Sequence, residues 1–255
     1  MMIFQTVAVA FSMYSRLPMP KVEWNARNMR YAMCAFPLIG AVIGGAVWLW
    51  AAFCARFALH DAMRAMGVVL LPAAITGGIH LDGFCDTADA LASHAPMERK
   101  LEILKDSHTG AFAIIAVCAY FLFCFAAAMQ LKTDRTALML LGLGYLLSRC
   151  LSGFAVARFR CAKNSGLVHA FADAAAKKAV ALTLAAASLL LCAGMLWISP
   201  VAGGGMAAAA AACFGYYRVM SYRRFGGITG DLAGWFLQVC EAAMLFALVI
   251  CQAAF

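Results

Sequence analysis

Charge is what this chain has least of: 13% of its 255 residues are Asp, Glu, Lys or Arg, and only twelve are acidic. Soluble domains carry roughly 25% charged residues. With 65% hydrophobic residues and a mean hydropathy of +0.85, a water-soluble or disordered chain is excluded. Long polar segments are missing too. The widest polar connections, 16–30, 80–109 and 158–178, are loop-sized, so no soluble domain can be cut out, and 1–255 reads as one integral membrane domain. There is no tandem repeat. The eleven cysteines never fall at Cys-x-x-Cys spacing, which argues against a disulfide framework or a zinc site. Inside apolar spans such thiols behave as small apolar residues. Residues 1–15 are apolar but short and lack an early basic stretch, so an interfacial segment fits them better than a span or a cleavable signal. His60, His94 and His169 stand apart without ligand spacing.

What the chain has in excess is apolar runs. Seven candidate spanning helices cover 32–53, 66–79, 111–131, 137–157, 179–198, 206–220 and 232–250. Most reach the roughly 20 residues a bilayer core demands. The second and sixth are short and must tilt, re-enter or borrow flanking residues. The fold class that follows is all-α: a polytopic membrane bundle of about six or seven transmembrane helices. Gly40, Gly44 and the Gly- and Ala-rich run 203–212 read as small-residue surfaces for close helix packing.

The 20 Lys and Arg residues orient the bundle. Fifteen of them fall in alternate loops, around Lys21, Lys100, Lys178 and Arg224, while only Arg56, Arg64, Lys132 and Arg135 occupy the opposite side. The positive-inside rule places the first set in the cytoplasm. The same partition puts Asp82, Asp86, Asp89, Asp106 and Asp231 on that face, although acidic residues played no part in assigning it. No nucleic-acid partner is expected, since the positive loops already have a topological explanation.

Chemistry concentrates in one segment. Asp82, Asp86 and Asp89 stand at i, i+4 and i+7, so on a helix they share one face about a turn apart. Hard carboxylate oxygens at that spacing suit Mg2+ or Mn2+, and Mg2+ held by a few carboxylates plus substrate phosphates is usual in phosphoryl-transfer sites. A plainly solvated helix face is the bland alternative, less fitting where Gly83 and Thr87 interleave the carboxylates. Two more polar clusters reach the same side: Lys105-Asp106-Ser107-His108, before the third span, and Gly227-Ile228-Thr229-Gly230-Asp231, before the last. Glycines let backbone approach a ligand and helix-opening amides favour phosphate, although Asp231 alone could simply cap its helix. Arg149 and Glu241 fall inside spans, where charge is costly and faces the bundle interior. They lie about 13 and 15 Å deep from the cytoplasmic side at helical rise, so a buried pair is expected, more structural than catalytic.

Together these residues resemble the cobalamin synthase family, the adenosylcobinamide-GDP ribazoletransferases. The resemblance runs nearly end to end, through Ser15-Arg16-Leu17-Pro18, Phe36-Pro37, the central His80-Leu81-Asp82-Gly83-Phe84-Cys85-Asp86-Thr87-Ala88-Asp89, Lys105-Asp106-Ser107, Arg149, Gly227 to Asp231, Gln238 and Glu241. His108, Ala90, Ala113 and the loop around Lys163 depart from the family pattern. The resemblance implies a transferase of the cell inner membrane, with its site facing the cytoplasm. It would join adenosylcobinamide-GDP to α-ribazole or its 5′-phosphate with release of GMP, using Mg2+, in contact with membrane lipid and open to homo-oligomer formation. On this reading Asp82, Asp86 and Asp231 hold metal. Asp89 or His80 accepts the proton of the attacking hydroxyl, unless His80 instead orients a carboxylate. Lys105, Asp106 and Arg149 complete the catalytic set, and Ser107, His108, Lys163, Gly227, Thr229 and Gly230 contact substrate. Two other classes compete: a CDP-alcohol phosphotransferase, whose longer aspartate motif is not met, and a transporter, which needs polar residues near the bilayer midplane.

Overall fold

The computed structural model describes residues 2–106, 108–163 and 166–254. Among them the chain forms twelve helices, and the only extended pairing is an isolated parallel bridge between Cys161 and Ile228. In order they are α1 (Met2–Tyr14), α2 (Ala26–Met29), α3 (Ala32–Arg56), α4 (Asp61–Thr76), α5 (Ile79–Ala92), α6 (Met97–Ile103), α7 (Ala111–Gln130), α8 (Arg135–Arg158), α9 (Leu167–Ala174), α10 (Lys177–Ile198), α11 (Pro200–Phe225) and α12 (Gly230–Ala254).

Five of these, α3, α7, α8, α10 and α12, are long and apolar enough to cross a bilayer, and α4 with α5 passes as a sixth if taken as one bent pair. This is a multi-pass membrane bundle. The two spans that looked short both lengthen. α4 starts at Asp61 because the His60 ring accepts the amide of Ala62 at 3.1 Å, and α11 starts at Pro200 because the Ser199 hydroxyl accepts the amide of Ala202 at 3.2 Å. α11 reaches 26 residues, but Ala and Gly give it too little apolarity for a hydropathy window to reveal its full length. Leu122 on α7 and Leu189, Leu190 and Trp197 on α10 are each at least 70% exposed, as a lipid-facing surface requires.

Close contacts hold the interior. A Cβ on Gly44 would stand 2.8 Å from the Cα of Gly142, and one on Gly40 would run into the Tyr145 carbonyl, so α3 and α8 meet backbone to backbone. Ile39, Ile43, Leu140, Leu147, Leu184 and Phe236 fill the space around this seam. α1 lays Val9 and Ala10 on the bundle and leaves Ile3 and Phe4 outside. Consecutive glycines make the turn that matters most for function. Gly77 and Gly78 both adopt left-handed φ, +67° and +81°, which residues with a Cβ avoid. α5 therefore turns 96° away from α4 and crosses the start of α12 instead of continuing the span.

Candidate active site

The turn at Gly77 and Gly78 gives α5 two unlike faces. His80, Gly83, Phe84, Thr87 and Ala90 are buried, while Asp82 is exposed and Asp86 and Asp89 are half-buried on the other side. Where α5 meets α12 the contact is again between backbones. A Cβ on Gly83 would fall 2.7 Å from the Cα and carbonyl oxygen of Asp231, and one on Gly234 would fall 2.9 Å from the carbonyl oxygen of His80. Gly83 thus allows Asp82 and Asp86 to stand beside Asp231, and Asp86 feels the charges of Asp82, Asp231 and Asp89. None of the ion pairs among the described residues neutralises these three carboxylates.

Asp231 also edges a pocket of 220 Å³ lined by Lys105, Lys163, Thr229 and Gly230. Its floor is built by the segment leading into α12. Ile228 donates its amide to Arg160 O and accepts that of Ala162, both at 2.9 Å, and Gly227 has no room for a Cβ against Arg160 O. The Thr229 hydroxyl caps α12 by accepting the amide of Leu232 at 3.2 Å, and it donates to Asp231 Oδ2 at 3.3 Å. So Thr229, not Asp231, makes the cap. Lys163 Nζ donates to Leu101 O at 2.6 Å. Its pKa is lowered, first by burial and then by the charge of Lys105, while Asp231 and Glu102 act in the opposite sense. Two ammonium groups crowded at one pocket favour an anion between them.

The other expected site residues divide. Asp89 has both oxygens engaged at the opening of α7, accepting Gly110 N at 2.6 Å and Ala113 N at 2.9 Å. His80 is buried and its Nε2 has no partner, so the hydrogen bond to a carboxylate that would orient one is not made. Arg149 lies away from the pocket of Lys105 and Lys163: 1% exposed, it pairs with Glu241 and donates to Tyr145 O and Ser148 Oγ at 3.0 Å. The pair expected from equal depth is therefore present, and its geometry is that of a structural tie. Asp106 is exposed, outside the pocket, and accepts hydrogen bonds from the His108 amide and ring nitrogen at 3.0 and 2.7 Å, which hold its carboxyl below the usual range. The His108 side chain is 91% exposed. Ser107 lies outside the described residues.

No three His, Cys, Asp or Glu side chains among the described residues are grouped tightly enough to hold a metal ion by themselves. That does not disqualify the carboxylates for Mg2+, which keeps several waters and completes its shell with substrate phosphates. The donor chemistry fits: uncompensated carboxylates on two helices brought together by a missing Cβ, beside two lysines.

The model of the family described as cobalamin-5-phosphate synthase matches residues 6–249. The chain belongs to that family. It is 43% identical over 244 residues to an adenosylcobinamide-GDP ribazoletransferase of Lachnoclostridium phytofermentans, covering 96% of this chain and 93% of the relative. It is 31% identical to the enzyme of that name from Clostridium botulinum over 96% and 97% of the two chains, and 33% identical to one from Pseudomonas savastanoi pv. phaseolicola over 92% and 93%. No solved structure matches. Membership of the cobalamin-5-phosphate synthase family favours the ribazoletransferase reading over the lipid phosphotransferase and the transporter.

Sequence reasoning missed a second group of residues near this site. Tyr14, Phe36, Ser152, Val156 and Leu237 line a cavity with His80, Asp82 and Asp231, although they come from four different helices. Each sits in an ordinary apolar stretch, so no spacing could have joined them. Phe36, within the Phe36-Pro37 element of the family resemblance, and Tyr14, beside the Ser15-Arg16 segment, offered the only signals, and neither pointed to a shared cavity.

Proposed function

We propose that the protein is a membrane-embedded adenosylcobinamide-GDP ribazoletransferase. It joins adenosylcobinamide-GDP to α-ribazole, or α-ribazole 5′-phosphate, and yields adenosylcobalamin, or its 5′-phosphate, and GMP. The names of the relatives support this reading. The observation that carries it is Asp231 at the edge of the pocket that holds Lys105 and Lys163, close enough to Asp82 and Asp86 for the charges of the three carboxylates to act on one another. That arrangement suits a diphosphate and a divalent cation together. The bias of basic loops supports an inner-membrane orientation with this pocket in the cytoplasm.

A ribazole hydroxyl attacks the β-phosphorus of the GDP moiety, the bond to the bridging oxygen breaks, and that oxygen departs with GMP. Charge on the transferring group is the main quantity to be stabilised. Lys105 and Lys163 neutralise phosphate oxygens, and the backbone at Thr229 and Gly230 approaches them at the start of α12. Asp82, Asp86 and Asp231 would hold Mg2+, which supplies further charge neutralisation and makes the attacking hydroxyl more acidic. Asp89 keeps the opening of α7 against α5, with both its oxygens engaged. Of the two acceptors the sequence suggested, that leaves His80, which lines the cavity beside Asp82, to take the hydroxyl proton. Arg149 and Glu241 position α8 against α12 and do not meet substrate.

The test is reconstitution. Purified protein in lipid vesicles, given Mg2+, adenosylcobinamide-GDP and α-ribazole, should release GMP and form a complete cobamide in equal amounts. Absence of GMP from folded protein refutes the transferase reading, and release of GMP without cobamide refutes the choice of acceptor.

A further inference from the structure

Apart from His80, Asp82 and Asp231, the residues lining the cavity that sequence reasoning missed have no part in the chemistry above. The cavity measures 250 Å³ and is lined by residues of six helices, α1, α3, α5, α8, α9 and α12. It shares Val168, Gly230 and Asp231 with the pocket of Lys105 and Lys163. The two are therefore adjoining rooms with Asp231 between them, one basic and one largely apolar. Aromatic rings crowd the apolar room. Tyr14 lies nearly parallel to His80, at 25° with centroids 6.2 Å apart, and Phe36 stands edge-on to His80 at 5.9 Å.

Size and polarity limit the occupant. The volume of 250 Å³ corresponds to roughly eight waters, enough for a flat fused bicyclic ring and far too little for a corrin macrocycle. Asp82, Asp231, His80, Ser152 and the Tyr14 hydroxyl supply its polar groups, and the rest of the wall is apolar Met, Phe, Ile, Val, Leu and Ala side chains with Gly230 and Gly234. Guanine carries donors or acceptors on nearly every edge, and the polar groups at the Asp82 and Asp231 end could meet only one of those edges, leaving the others unpaired against the apolar wall. A fused heteroaromatic ring with one free ring nitrogen leaves almost none. Its sugar then points to the acidic end, where a hydroxyl meets His80 and Asp82 at the boundary with the phosphate pocket.

We infer that this cavity is the subsite for the base of the acceptor nucleoside, with Tyr14, Phe36 and Val156 setting which bases fit. The inference rests on the transferase reading and adds to it the place of one substrate and the residues that select it. Aromatic contact is the usual means of holding a base whose edges are not read. Pockets of this kind discriminate by about 10–200-fold per methylene.

The experiment uses the full chain in lipid nanodiscs. Binding of α-ribazole and of adenosylcobinamide-GDP is measured separately, and KM is measured for α-ribazole and for the corresponding adenine nucleoside. Val156→Phe, which fills the cavity, should weaken α-ribazole binding about 10-fold or more and leave adenosylcobinamide-GDP binding unchanged. Phe36→Leu, which loosens the wall, should change the ratio of kcat/KM between the two nucleosides about 10-fold. Loss of adenosylcobinamide-GDP binding in Val156→Phe, with α-ribazole unaffected, would assign the cavity to the other substrate and overturn the inference. Unchanged binding of both would overturn it as well. Thermal unfolding checks that Val156→Phe is folded; if it is not, Phe36→Leu decides, and an unchanged nucleoside ratio overturns the inference. Failure of the wild type to form GMP would strike the transferase reading instead, so the two failures are separable.

Discussion

Gly83→Ala puts the architecture of the site to its hardest test, because it adds one methyl and removes no charge. The new Cβ would stand 2.7 Å from the Cα and carbonyl oxygen of Asp231. Non-bonded carbons settle at about 3.5–4.0 Å, so α5 and α12 must part by roughly 1 Å. Overpacking of this kind costs about 1–3 kcal/mol, while replacing Gly by Ala in a helix interior returns about 1 kcal/mol, leaving roughly 0–2 kcal/mol of destabilisation. Turnover should suffer far more than stability. A misplacement of about 1 Å between groups that must act together costs on the order of 10²-fold. The variant should insert and unfold within a few degrees of the wild type, release GMP about 100-fold more slowly, and need more Mg2+ to reach half-maximal rate. Gly194→Ala is the control, because nothing lies within 4 Å of a Cβ there. Wild-type GMP release and an unchanged Mg2+ requirement in Gly83→Ala would refute the claim that backbone contact at Gly83 sets the carboxylates against Asp231. Complete loss of folded protein would mean that the contact serves the fold first.

The carboxylates themselves are tested by Asp82→Asn and Asp231→Asn, which should leave the protein inserted while cutting GMP release by orders of magnitude; near-normal activity at limiting Mg2+ would remove them from the metal site. Lys163 loses its proton at lower pH than an ordinary lysine, so affinity for adenosylcobinamide-GDP should fall early on the alkaline side. Lys105→Gln removes a neighbouring charge that depresses it, and should weaken binding while moving that limb to higher pH; an unmoved limb would show that Lys163 does not meet the phosphates. Glu241→Gln leaves Arg149 buried without its partner and should cost about 3–5 kcal/mol, whereas replacing both with apolar residues of similar size should restore most of the thermal stability; a stable Glu241→Gln variant would contradict the structural tie. For topology, single cysteines at Lys21, Arg99, Lys178 and Arg224 in a cysteine-depleted chain should resist an impermeant thiol reagent in intact cells while one at Lys132 reacts. Arg99 is the position of choice in its loop because its neighbour Lys100 is 5% exposed, and protection there would report burial and not sidedness; labelling at Arg99 from outside would invert the bundle.

The parts of this architecture that could be read from the sequence are those governed by local physics. Bilayer thickness sets the length of an apolar run, so α3, α7, α8, α10 and α12 agree with the expected spans to within a few residues at each end. Helical spacing placed Asp82, Asp86 and Asp89 on one face, as α5 confirms, and equal depth along two spans paired Arg149 with Glu241. Partners across helices were out of reach. Asp89 shares the face of Asp86 but bonds to the amides of Gly110 and Ala113, and no pattern in α5 says where α7 begins. α11 escaped at both ends for a related reason: Ala and Gly promote close packing, yet a hydropathy scale gives them little weight.

The glycines carry most of the information that spacing could not. Gly77 and Gly78 turn α5 out of the span, Gly83 and Gly234 seat it on α12, and Gly227 fits the floor of the Lys105 and Lys163 pocket against Arg160. A carboxylate cluster at a membrane edge becomes a site only when a second helix brings Asp231 to it. Two backbones approach that closely only where the Cβ is absent. The same geometry places Asp231 between a basic pocket and a largely apolar one, so a single residue lines both of the rooms proposed for phosphates and nucleoside. Moving α12 by one turn would separate Asp231 from both pockets while leaving every span intact. The chemistry therefore depends on the register between α5 and α12 more than on any one ligand.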